Sequence, residues 1–125
     1  MEFTQAFVLH QRPYRETSFL LDVFTEDYGR LSLVARGMRQ NKRRHNNPLQ
    51  LFQPLWLNWF GRGDLLTLSK IETTTAPYWL QGHAALCGLY INELLVRLLT
   101  QQQAEPMVFE AYQNALEGLQ QAEKA

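Results

Sequence analysis

Cysteine is almost absent: Cys87 is the one such residue in a chain of 125. That excludes an internal disulfide and a cysteine-built zinc cluster. Histidine is nearly as scarce, and His10, His45 and His83 lie too far apart to share metal-ligand spacing with one another or with Cys87. No run approaches 18 consecutive apolar residues, so no membrane-spanning segment is expected. The opening MEFTQAFVLHQRPYRE lacks a basic segment leading into a long apolar one, so no secretory leader is expected either. The expectation is a reduced, cytoplasmic, soluble protein. No Walker-type glycine loop is present. Glu16 and Asp22 form no obvious acid-base pair and read most simply as a surface acid and a strand-edge acid. No catalytic residue, metal or cofactor is expected.

Net charge is missing as well, since 12 basic residues balance 12 acidic ones. The total argues against a uniformly basic nucleic-acid binder, but the distribution points the other way. Between Tyr28 and Gly63 there is no Asp or Glu, while Arg30, Arg36, Arg39, Lys42, Arg43, Arg44 and Arg62 all fall there. From Gln81 to Ala125 the balance reverses, with Arg97 and Lys124 against Glu93, Glu105, Glu110, Glu117 and Glu123. A local cationic excess on a neutral chain is the pattern of a surface for an anionic ligand.

A hydrophobic content of 46% supplies a core, and the length suits one domain, or one compact domain and part of another. Five segments read as strands: Gln5 to Gln11, stopped by Pro13; Ser18 to Thr25; Gly29 to Ala35; Leu55 to Phe60; and Leu65 to Thr75. Leu31, Leu33 and Ala35 are expected inward; Leu55, Leu57 and Trp59 share one face, with Trp56 and Phe60 on the other. Glu26-Asp27-Tyr28-Gly29 and Gly61-Arg62-Gly63-Asp64 are short hairpin connections with glycine available for left-handed positions. The adhesion tripeptide spelled by Arg62-Gly63-Asp64 is therefore turn chemistry.

After Pro77 the period changes. Ala84 to Gln103 predicts a helix, with Leu86, Tyr90, Leu94 and Leu98, flanked by Leu89, Ile91, Leu95 and Leu99, as a wide apolar stripe expected to pack on the barrel and Cys87 as a small buried residue. Glu105 and Pro106 open a second helix carrying Val108, Tyr112, Ala115, Leu116 and Leu119. No stop signal follows Leu119, and the helical domain is expected to be incomplete. The predicted fold is mainly β with α: a five-stranded, partly open OB-fold barrel over residues 1–78, followed by the first helices of a helical domain over 79–125. An SH3-like barrel has the same strand count.

The long connection from Gly37 to Pro54 carries the main chemical signal. Arg36, Arg39, Lys42, Arg43 and Arg44 can displace counterions from closely spaced phosphates, and arginine adds stacking and bidentate donors. Arg30 and Arg62 are second choices on neighbouring hairpins. Phe24, Tyr28, Phe52, Trp56, Trp59 and Phe60 interleave with this charge, as core residues or as stacking platforms for bases.

Three strings then resemble the family of the bacterial recombination mediator RecO: AFVLHQRPYRETSFLLDVFTEDYGRLSLVARGMR from Ala6 to Arg39, LFQPLWLNWFGRGDLLTL from Leu51 to Leu68, and LYINELLVRLL from Leu89 to Leu99. The resemblance covers nearly the whole chain in order, and the lone Cys87 matches members without a four-cysteine zinc site. It implies an N-terminal OB-fold followed by a helical domain, binding of single- and double-stranded DNA, and annealing of complementary strands. It also implies action with RecR in loading RecA onto DNA coated by single-strand-binding protein (SSB). A basic loop after the third strand matches Arg36 to Arg44 as a region. Two rivals come from other classes: an interaction module whose loop takes acidic peptide tails, and a nuclease using Glu16 and Asp22 with magnesium.

Overall fold

The computed structural model describes residues 3–37 and 49–124. Strands β1 (Thr4–Tyr14), β2 (Ser18–Thr25), β3 (Gly29–Ala35), β4 (Leu55–Phe60) and β5 (Leu65–Glu72) precede helices α1 (Gly82–Leu98) and α2 (Pro106–Lys124). The strands close into a barrel in the order β1-β2-β3-β5-β4. β3 and β5 pair parallel, and the other four pairings are antiparallel. This is the five-stranded OB-type barrel, closed where a partly open one is expected from the sequence.

Alternation along the strands decides what is inside. Leu21 and Val23, Leu31, Leu33 and Ala35, and Leu55, Leu57 and Trp59 fill the barrel, with Leu49 also buried there. Two strand limits differ from expectation. β1 runs on past Pro13, which pairs with Phe19 near the strand end, where a missing N–H removes little from the ladder. β5 stops at Glu72, short of Thr75.

A bulge between Val8 and His10 turns part of β1 outward. Phe7 and Leu9 join Phe24, Phe52, Phe109, Tyr112 and Leu116 in a second core between barrel and helices. Its rings meet edge-on, Phe24 with Phe109 at 5.2 Å and Phe7 with Tyr112 at 5.0 Å between centroids. Such pairs contribute about 0.5–1.5 kcal/mol each beyond the area they bury.

Only one flank of the expected α1 stripe faces the barrel: Ile91, Leu95 and Leu99 pack against the second core. Leu86, Tyr90 and Leu98 are 64%, 65% and 75% exposed, and Cys87 is exposed with them. The buried residues of this helix are Ala84, Gly88 and Asn92. Closeness outweighs leucine area here: a Cβ on Gly88 would lie 2.8 Å from both Leu80 and Phe52. Small residues at the closest approach let the helix reach the aromatic layer, with Ile91, Leu95 and Val96 packed beside them.

α1 also ends at Leu98 instead of Gln103. Leu99 turns extended, and Gln101 forms a parallel bridge with Arg30. The Gln102 amide donates to the Arg30 carbonyl at 2.8 Å. Side-chain amides of Gln101 and Gln102 donate to the carbonyls of Asp64 and Gly63, each at 2.7 Å. Bonds to the barrel thus override the helix propensity of Leu99 to Gln103. Among the described residues no helix is long and apolar enough to cross a membrane.

Candidate nucleic-acid interface

The expected cationic residues separate into three groups. Arg39, Lys42, Arg43 and Arg44 lie outside the described residues. Arg36 stands exposed just past β3, followed by Gly37 at φ +71°, a left-handed position that redirects the chain as it leaves the sheet. Arg62 is exposed in the β4–β5 turn, whose carbonyls the Gln101 and Gln102 side chains hold.

Arg30 is placed differently. It sits at the opposite end of β3 from Arg36, about 20 Å away at the rise of a strand. Its guanidinium pairs with Asp22 at 3.4 Å and its Nε donates to the Leu99 carbonyl at 3.1 Å. Ser32 donates to the same Asp22 oxygen. Arg30 therefore ties the segment after α1 to the barrel, with its side chain only 16% exposed. Glu16 lies two residues before β2 and Asp22 within it, beside Arg30, so these two acids are not brought together.

The aromatics divide cleanly. Phe24, Phe52 and Trp59 are core, while Tyr28, Trp56 and Phe60 are exposed. Tyr28 rests edge-on against Trp59 at 4.9 Å. The strand register then builds a row across the outside of the barrel. Phe60 pairs with Thr67, Thr67 with Val34, Val34 with Leu20, and Leu20 with Arg12. This row runs from an exposed ring to an exposed guanidinium over a partly apolar floor.

Beside the row opens a cleft of about 490 Å³, lined among others by Tyr14, Arg15, Val34, Arg36 and Leu66. Its geometry follows from the β2–β3 hairpin: Phe19 pairs with Ala35, so the β1–β2 turn lies against the end of β3. Arg15 in that turn has φ +54°. For a residue with a Cβ, this conformation costs about 1–2 kcal/mol. Its guanidinium lies 5.3 Å from the Tyr14 ring centroid, and a side-chain hydrogen bond with Tyr14 pushes its pKa above the ordinary arginine value. Two arginines, a tyrosine and apolar residues thus line one cleft, with Glu16 exposed in the same turn.

Tyr14, Arg15 and Arg12 are absent from the sequence expectations because the charge excess there is counted from Tyr28 onward. A usable signal exists: three consecutive antiparallel strands with short turns place the first turn beside the end of the third strand.

Comparison with known proteins bears on the chain as a whole. Residues 1–77 match the family model Recombination protein O N terminal, and residues 80–125 match Recombination protein O C terminal. A protein named DNA repair protein RecO from Coxiella burnetii (strain RSA 493 / Nine Mile phase I) is 46% identical over 114 residues, covering 91% of this chain and 49% of that protein. Proteins of the same name from Photobacterium profundum and Cellvibrio japonicus are each 43% identical. The first match covers 95% of this chain and 50% of the relative, the second 98% and 52%. The chain spans about half the length of the curated relatives it matches.

Proposed function

The chain belongs to the RecO family, and on that premise we propose that it serves DNA repair as a binding protein that makes and breaks no covalent bonds. It binds single- and double-stranded DNA and anneals complementary strands. With RecR it helps load RecA onto DNA coated by SSB, in the cytoplasm at the nucleoid. The barrel, residues 1–78, makes the DNA contact, and residues 79–125 begin a helical domain. Arg36, Arg39, Lys42, Arg43 and Arg44 contact phosphates, and Arg62 is a secondary contact. Arg30 is left out of this set because its donors are directed at Asp22 and Leu99.

The observation that carries the reading is Arg36, exposed at the end of β3 and leading in sequence into four more cations. Annealing requires two polyanions to approach. Fixed cations do this by replacing the condensed ions around each backbone. Phosphate contacts leave the base edges free to pair.

The test mixes complementary labelled strands with the protein, with and without an acidic SSB-tail peptide as competitor. Accelerated annealing that the peptide does not abolish at matched concentration supports the reading. Peptide binding as tight as oligonucleotide binding, with no annealing, would establish the interaction-module rival. Processive cleavage in magnesium would establish the nuclease.

A further inference from the structure

We propose that the cleft between the β1–β2 turn and the end of β3 is a binding site for one unpaired nucleotide, and that it gives the surface a preference for single strands. This rests on the DNA-binding reading above and deepens it, because a basic loop by itself attracts any polyanion.

The cleft is built for more than charge. Arg15 and Arg36 both line it, and the guanidinium is the donor type that grips phosphate in two places. Tyr14 contributes a ring, half-buried and so held in place, and Val34 and Leu66 contribute an apolar wall. A volume of about 490 Å³ lies within the roughly 300–1,000 Å³ of small-ligand sites. Arg15 keeps a left-handed backbone that its side chain disfavours.

Single and double strands would meet this cleft differently. Both present phosphates to Arg15 and Arg36. An unpaired base can also add its face to the stack that the Arg15 guanidinium makes over the Tyr14 ring, whereas a base inside a duplex has both faces occupied by its neighbours. Stacking on one aromatic ring changes affinity about tenfold or more per base. The outer row then offers a continuation for the strand, from Val34 and Thr67 toward the exposed ring of Phe60.

Fluorescence anisotropy with a ten-nucleotide oligo-dT and a mixed-sequence duplex of ten base pairs tests this. Tyr14→Ala should weaken oligo-dT binding about tenfold and change duplex binding less than twofold, and Tyr14→Phe should restore the wild-type value. Should Tyr14→Ala lower the melting temperature, Tyr14→Leu decides: leucine keeps apolar bulk at this half-buried position while the stacking ring is lost. It should weaken oligo-dT binding more than duplex binding. Equal losses on both ligands, or no loss on either with the wild-type salt dependence intact, overturn the cleft and leave the DNA-binding reading standing. Failure of the wild-type protein to bind either oligonucleotide at low salt overturns both.

Discussion

Tyr112 donates its hydroxyl proton to Oδ1 of Asn92 at 2.7 Å, and both side chains are buried. Asn92 in turn donates from Nδ2 to the carbonyl of Leu9 at 3.2 Å. Leu9 is the extra residue of the β1 bulge, without a partner in the β2 register. A bulged residue loses its ladder bond, and α1 supplies the replacement. One amide thereby links α2, α1 and β1. Asn92→Leu would leave a buried carbonyl and a buried hydroxyl without partners, each costing about 1–3 kcal/mol. Urea unfolding should show a loss of about 2–4 kcal/mol, and Tyr112→Phe a smaller one. No loss in Asn92→Leu would mean that water already satisfies both groups.

The same hydroxyl sets an alkaline limit. Burial pushes the Tyr112 pKa well above the ordinary tyrosine value. A pKa raised in the folded state stabilises the protein below the unfolded value, about 10 for tyrosine, and that stability is lost as pH rises beyond it. Stability should therefore be independent of pH through this group near neutrality and decline above about pH 10. Tyr78, also raised, by burial and by Glu117, adds in the same direction. Urea midpoints from pH 7 to 11 should fall less steeply for Tyr112→Phe than for the wild type.

Gly29 meets two demands at once. Its φ of +76° belongs to the left-handed region, and a Cβ there would lie 2.0 Å from the carbonyl oxygen of Gln103. The conformation costs about 1–2 kcal/mol for alanine, and the clash with backbone has no flexible group to absorb it. Gly29→Ala should lose more than about 2 kcal/mol in total. It should also expose residues 99–105 to limited proteolysis, because the segment that carries Gln103 must lift off the barrel. Retained protection of that segment would show that the hairpin gives way instead.

How much of this was legible varies by element. Alternation in β3 identified its inward face correctly, and in β4 it separated Leu55, Leu57 and Trp59 from Trp56 and Phe60 without saying which set is inside, because period-two patterning reports shared faces directly. The left-handed role of Gly29 was legible from the Glu26–Gly29 turn, but its contact with Gln103 depends on chain 74 residues away. In α1, periodicity locates a wide apolar stripe, whose Ile91 and Leu95 pack inward, but not the line along which the helix comes closest. Gly88 and Asn92 decided that through size and through the needs of a bulge in β1. The cleft was invisible to a linear charge count: Arg15 and Arg36 are far apart in sequence and meet only through the β1–β2–β3 register.

Arg30 and Arg36 share a strand and should respond oppositely to substitution. Arg30→Met removes an ion pair with Asp22 and a hydrogen bond to Leu99 in a partly buried setting. It should cost about 1–2 kcal/mol of stability, the lower range for bonds to charged groups given their partial exposure, and leave the salt dependence of oligonucleotide binding unchanged. Arg36→Gln, at an exposed position, should leave the melting curve within about 0.5 kcal/mol and weaken binding at low salt. Reversed outcomes would exchange the two roles.

The cationic segment makes the most quantitative demand. If four or five of its side chains each displace a counterion from a single strand, log affinity against log salt should have a slope of roughly −3, at about −0.7 per phosphate. Replacing Arg39, Lys42 and Arg43 together by alanine should flatten that slope by about two, because three fixed charges no longer release three ions. Melting curves checked in parallel should coincide with the wild type. A loss of affinity with the slope unchanged would mean that these residues act through the fold or through a neutral contact. Phosphate recognition would then have to be sought on the faces that present Arg12, Arg15 and Arg62, where the same titration on single variants would locate it.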